Sequence, residues 1–263
     1  MLNEVDFHVH SIYSGEEQCK GFTIERIFRL AEELGIRYVG LTDHWHTDTD
    51  PSIFVKERRE VEKLNEAYRG RVKVFISAEI DVIDHECRLA ADLDLAKKLL
   101  DYISVSLHYN PKWSGKAGYD LIEDAVSMTI RLLEEPDITV ILHPHMIDVA
   151  YYAGKPVTRS AFREFIEVAV DNKKVLEIPE LSMVRAYYCD VLKWLPLSEV
   201  RKQYEVFIRE IVRSGCLFTL GSDAHNETRW FDNNRPWFGY LEETIALLRK
   251  YGVDEGNLWL PIR

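Results

Sequence analysis

The chain has 263 residues, and 46% hydrophobic against 29% charged residues is the balance of a folded globular protein with a large core. With 44 acidic and 33 basic side chains the formal net charge is −11, which argues against general nucleic-acid binding, because such binding draws on clustered Lys and Arg. The four cysteines, Cys19, Cys87, Cys189 and Cys216, form no CxxC pair and suggest neither a zinc ribbon nor a disulfide framework.

No basic leader opens the sequence and no apolar run approaches membrane-spanning length, so a cytoplasmic location without a membrane partner is expected. In chain order, short apolar runs occur at 5–9, 38–41, 72–78, 102–107, 138–142, 174–178 and 217–220. Near-continuous Val, Ile, Leu, Phe and Tyr is what a parallel strand covered on both faces requires. Between the runs lie helical patterns. The first is capped by Thr23 and stopped by Gly35; others cover 51–68, 92–100, 119–135, 160–171, 198–214 and 240–251. Seven strands alternating with seven helices predict βα units in one α/β domain over 1–263. A closed, distorted (β/α)7 barrel related to the TIM barrel is favoured over an open sheet, because no Gly-rich phosphate loop follows the first strand.

The chemistry lies just after the strands. The first run carries Asp6-Phe7-His8-Val9-His10, the second leads into Thr42-Asp43-His44, and the third ends in Glu79. The fourth ends in His108, the fifth in His143-Pro144-His145, and the seventh in Ser222-Asp223-Ala224-His225. The sixth, Glu177-Ile178-Pro179-Glu180, has no histidine. Strand C-termini of a parallel barrel share one face, so these side chains can converge. His8 and His10 alternate by two and face one side of their strand, which lets both imidazoles reach one metal. A lone HxH is weak evidence. Here His8, His10, His44, His108, His143 and His225 all fall at strand ends in a chain of nine histidines, and that coincidence carries the weight.

These ordered motifs resemble the PHP family, named for polymerase and histidinol phosphatase domains, from Asp6 to His225. The resemblance implies a distorted seven-stranded barrel and two or three divalent metal ions, manganese, iron or zinc. It implies a first metal held by His8, His10, Glu79 and Asp223, and a second held by Glu79, His108 and His143. A third would take His44, His225 and a loop residue six positions beyond His10. Relatives carry His or Asp there; this chain has Glu16, with Glu17 beside it. The implied activity is hydrolysis of a small-molecule phosphomonoester by a metal-activated water, with Asp223, His225, His145 and Arg185 as candidate catalytic residues. Arg185 falls near where relatives place a phosphate-contacting basic residue, and Arg159, Arg229 and Arg235 are further loop arginines. Asp6 and Asp43 are candidates to orient the imidazoles. Competing readings are a phosphodiesterase or exonuclease, an amide hydrolase, and a non-catalytic metal-binding scaffold. His46 is open between pocket and surface, and His85 is expected at the surface. The segment 226–240, with Trp230, Phe231, Trp237 and Phe238, is either a lid or ordinary packing. Nothing in the sequence indicates the oligomeric state.

Overall fold

The computed structural model describes residues 1–229 and 234–261. Nine strands are described: β1 (Val5–Val9), β2 (Tyr38–Leu41), β3 (His44–Trp45), β4 (Lys73–Ile76), β5 (Glu79–Asp81), β6 (Ser104–Ser106), β7 (Val140–Leu142), β8 (Val175–Pro179) and β9 (Leu217–Gly221). Around them run α1 (Ile24–Leu34), α2 (Ser52–Ala67), α3 (Leu93–Leu99), α4 (Gly118–Glu134), α5 (Ile147–Ala153), α6 (Arg159–Asp171), α7 (Leu181–Arg185), α8 (Leu197–Ser214) and α9 (Glu242–Lys250).

All strand pairs are parallel, in two sheets ordered β1-β2-β4 and β3-β5-β6-β7-β8-β9. The two sheets belong to one closed circuit. The second expected strand is broken into β2 and β3 and the third into β4 and β5, so each starts in the small sheet and finishes in the large one. The circuit closes where β1 meets the end of β9: the His10 amide donates to the Ala224 carbonyl (2.8 Å), and the Ala224 amide to the His8 carbonyl (3.3 Å). The result is the expected seven-position barrel, distorted by those two breaks. The sequence hides the breaks because 72–78 reads as one apolar run.

Local chemistry explains the helices. Thr23 Oγ1 accepts from the Arg26 amide (3.2 Å) and caps α1, while Gly35, at φ 74°, ends it in the left-handed conformation. Ile24, Ile27, Phe28 and Ala31 are its buried stripe, at the 3,4-spacing of one helix face. Asp92 and Thr158 cap α3 and α6 through the amides of Leu95 (2.8 Å) and Ala161 (3.1 Å). α4, α6 and α8 pack side by side. The sequence pattern missed α5 and α7, of 7 and 5 residues. Among the described residues no helix is long and apolar enough to cross a membrane.

Candidate metal centre

The strand C-termini deliver the expected donors to one place. Glu79, at the start of β5, is buried and faces two ways. Its Oε2 lies 3.4 Å from Nε2 of both His8 and His10, and its Oε1 lies 2.9 Å from His143 Nε2 and 3.4 Å from His108 Nε2. Asp223 Oδ1 completes the first group at 3.3 Å from His8 and 3.2 Å from His10. Two donor sets therefore share Glu79: His8, His10, Glu79 and Asp223, and Glu79, His108 and His143, with donor atoms of each set within 4.8 Å of one another.

The hydrogen bonds around the imidazoles show that the first set fits a cation. His8 Nδ1 is 2.8 Å from Glu177 Oε1, and a carboxylate only accepts, so Nδ1 carries the proton. Ser14 Oγ donates to Asp43 Oδ1 (2.6 Å) and so accepts from His10 Nδ1 (3.0 Å). Both neutral rings then turn their Nε2 lone pairs toward each other, 3.1 Å apart, and toward the oxygens of Glu79 and Asp223. Four bare donors at such distances repel unless a cation, or extra protons, lies among them. With protons alone the balance is uneven. Burial opposes charge on His8, but Glu177 and Asp223 override it and raise its pKa well above the ordinary value. Burial, with His225 and His44 nearby, drives His10 well below it. His44 rises to about 9 because Glu79 and Glu16 outweigh its burial.

A third group lies beside these two. His225 Nδ1 donates to the Asp223 carbonyl (3.0 Å), leaving Nε2 2.8 Å from Glu16 Oε2, and His44 Nε2 is 3.5 Å from the same oxygen. Glu16 thus lies beside His44 and His225. Glu17 points away, with 81% of its side chain exposed and an ion pair to Lys20 (2.5 Å). The buried Cys19 joins Glu16 and His225 in a further set of possible ligands that sequence reasoning missed.

Other residues are placed differently from the sequence expectation. Arg185 sits on α7 with its guanidinium on Glu243 of α9 (3.1 Å) and does not line the cavity, because the short helix turns it outward. Arg159 pairs with Glu210 (2.5 Å), and the buried Arg229 donates to Ser182 Oγ (2.8 Å) and lies over the Tyr240 ring. Asp6 touches no imidazole ring; it accepts from Ser222 Oγ (2.6 Å) and from the amides of Ser222 (2.9 Å) and Gly239 (2.8 Å), tying β1 to the loop after β9. Asp43 reaches His10 only through Ser14. The buried carboxylate that does orient a ligand ring is Glu177, in the strand without a histidine. Its second oxygen accepts from the His143 amide (2.5 Å), and His143 adopts φ 32° there. A charged residue inside an apolar run was the signal available for it. His46 and Asp81 form an outer rung above His44 and Glu79: His46 Nδ1 is 2.5 Å from Asp81 Oδ2, and the His46 ring stacks on His44. Asp81 Oδ1 is 3.5 Å from His108 Nδ1. His85 is only partly exposed and bonds the buried Asp124 (3.0 Å).

A cavity of about 290 Å³ opens on the donors, lined by Glu16, His108, His143, His145, Asp223 and His225 among others. His145 is buried; its Nδ1 accepts from the Ile147 amide (3.2 Å), so its proton sits on Nε2, and burial beside His143 pushes its pKa down to about 3. Trp237 belongs to the wall. Its indole donates to the Ser222 carbonyl (2.8 Å) and stacks on His225, while Phe238 is packed inside. Trp230 and Phe231 lie outside the described residues.

The PHP domain family model matches residues 6–180. This chain belongs to the PHP domain family. No curated protein matches the PHP chain by sequence. Among solved structures, histidinol phosphate phosphatase from Lactococcus lactis, crystallised with zinc, L-histidinol and phosphate, superposes with a TM-score of 0.64 at 17% identity, covering 97% of this chain and 95% of that one. A structure from work on YwqE of Bacillus subtilis and CpsB of Streptococcus pneumoniae, metal-dependent tyrosine phosphatases, gives 0.51 at 16% identity, covering 96% and 89%. At these identities the two likenesses establish the fold. Family and donor chemistry together make this PHP protein a metal-dependent phosphoesterase.

Proposed function

We propose that the protein hydrolyses a small-molecule phosphomonoester, using two or three divalent cations drawn from manganese, iron and zinc. The observation that carries this reading is Glu79, whose two oxygens serve two adjacent donor sets at the floor of a small cavity. His8, His10, Glu79 and Asp223 would hold one cation, Glu79, His108 and His143 a second, and Glu16, His44 and His225 a third. When bound, such cations lower the pKa of water and offset charge on the phosphoryl group.

The chain's own residues prepare that chemistry. Glu177 and Ser14 fix the tautomers of His8 and His10 so that both Nε2 lone pairs face inward. The Asp223 carbonyl does the same for His225. The Asp223 carboxylate stays ionised, because the adjacent histidines outweigh its burial, and is assigned to receive the proton of the attacking water. His145 is assigned a hydrogen bond from Nε2–H to the leaving oxygen, as a neutral donor. The relative solved with L-histidinol and phosphate supports a small phosphate ester as substrate. A single catalytic domain is part of the reading. Its support is that Asp223 and His225 follow the strand that closes the barrel onto β1.

The test is phosphate release by manganese-loaded protein on a panel of small phosphomonoesters and a bis-aryl phosphodiester. Turnover of monoesters, abolished in Asp223→Ala, is expected. A preference for the diester would replace the reading with a phosphodiesterase, and inactivity on both would overturn it.

A further inference from the structure

Three of the four cysteines sit in apolar surroundings: Cys216 belongs to the hydrophobic core, and Cys87 and Cys189 pack against it. Cys19 is fully buried and yet is not part of that core. A buried free cysteine ordinarily serves as a small hydrophobe. Cys19 faces polar donors instead. Its Sγ is 3.9 Å from Glu16 Oε2, and the donor atoms of Glu16, Cys19 and His225 all lie within 4.8 Å of one another.

Local structure puts the thiol there. Glu17–Cys19 form a single 3-10 turn with Glu16 as its N-cap, and the Cys19 amide donates to the Glu16 carbonyl (3.2 Å). Side chains three apart eclipse in such a turn, so the Glu16 carboxylate and the Cys19 thiol share one face. The turn is held in place. The Phe22 amide donates to the Cys19 carbonyl (2.9 Å), and Asn226 Nδ2, next to His225 in the chain, donates to the Gln18 carbonyl (3.0 Å).

Donors around one tetrahedral zinc stand about 3.4–3.6 Å apart at ordinary bond lengths. Glu16 Oε2 is 2.8 Å from His225 Nε2, 3.5 Å from His44 Nε2 and 3.9 Å from Cys19 Sγ, so these separations bracket that spacing. Burial and the nearby carboxylates keep the free thiol protonated. It becomes a ligand when a cation arrives: the sulfur–metal bond forms and the proton leaves to solvent.

We propose that Cys19 is a thiolate ligand of the third cation, beside Glu16, His44 and His225, and that it makes this site select zinc over manganese. Thiolate is a soft ligand that suits zinc, whereas the other two donor sets hold only imidazole and carboxylate. The assignment rests on the third cation of the proposed function and names the ligand and metal preference of its site.

The experiment titrates the metal-stripped full chain with cobalt(II) and reads the near-ultraviolet sulfur-to-cobalt charge-transfer absorption. The absorption of one thiolate per chain is expected in the wild type and none in Cys19→Ser. In equilibrium dialysis Cys19→Ser should bind its third zinc at least tenfold more weakly, with its manganese affinity changed less than threefold. Cys19→Ala takes its place if the serine variant does not fold. Where neither folds, zinc X-ray absorption of the wild type decides, with a sulfur neighbour expected at about 2.3 Å. Three bound cobalt ions without the absorption, absorption kept in a folded variant, or a zinc shell of nitrogen and oxygen only overturns the Cys19 ligand. Binding that stops at two cations overturns the third site and the Cys19 assignment together. No ester enters these measurements, so failure to release phosphate bears on the phosphoesterase reading and not on this one.

Discussion

Replacing Glu177 by Gln keeps its shape and removes its charge, and the geometry sets the consequence. Two donors converge on this buried carboxylate: His8 Nδ1–H on one oxygen (2.8 Å) and the His143 amide on the other (2.5 Å). A glutamine has one carbonyl oxygen and one amino group, so whichever way it is turned, a donor faces a donor. An unsatisfied buried donor costs about 1–3 kcal/mol. If His8 is the loser, its ring is free to flip or to move the proton to Nε2, the atom that faces Glu79 and Asp223. Outer partners of ligand histidines typically change metal affinity by about 10–100-fold. Glu177→Gln is therefore expected to fold and to bind the first cation at least tenfold more weakly, as measured by equilibrium dialysis against a buffered series of free zinc concentrations. Wild-type affinity in a folded variant would refute the reasoning, since Glu177 would then be an ordinary strand residue.

Gly221→Ala should destabilise by about 1–3 kcal/mol in chemical denaturation, because the added Cβ collides with the Glu177 carboxylate and the His8 Cβ in a packed interior; an unchanged midpoint would contradict this. Arg185→Ala should keep kcat/KM within threefold and lose less than about 1 kcal/mol of stability, since its partly exposed ion pair with Glu243 lies away from the cavity; a tenfold kinetic loss would return it to the site. Burial opposes the charge on Asp124, yet Lys116, His85 and Tyr109 hold its pKa at about 2. A carboxyl depressed on folding stabilises above its unfolded value near 3.8 and loses that contribution as pH falls through the folded value. Asp124→Asn should thus melt earlier at pH 7, by about 2 kcal/mol from the pKa difference, with the gap to wild type narrowing below about pH 4. A gap that widens on acidification would reverse the sign.

Most of the donor set was legible because it obeys two local rules, alternation along a strand and position at a strand's end. His8 and His10 needed only the first; Glu79, His108 and His143 needed the second. What stayed hidden depends on partners distant in sequence. The break between β2 and β3 accompanies the grip of Asp43 on Ser11 and Ser14 (2.6 Å each), which no window of sequence contains. Glu177 reads as part of a strand until His8, 169 residues earlier, is seen against it. Arg185 shows the opposite error. It occupies a plausible place in the order of residues, but the turn of α7 aims it at Glu243. The chemistry of the cavity wall was equally out of reach, since Asp148, Tyr187 and Trp237 come from three separate segments.

The seam where the first strand meets the last has a mechanical consequence. Among the described residues, backbone hydrogen bonds between His8–His10 and Ala224, with the Asp6 carboxylate on Ser222 and Gly239, join the small sheet to the end of β9. The donors of the first cation straddle it, His8 and His10 on one side and Asp223 on the other. An ion gripped there is a further clasp on the hoop, and its binding energy becomes resistance to opening. Deuterium uptake at the amides of His10 and Ala224 should therefore slow when the clasp is shut, giving a record of occupancy that needs no substrate.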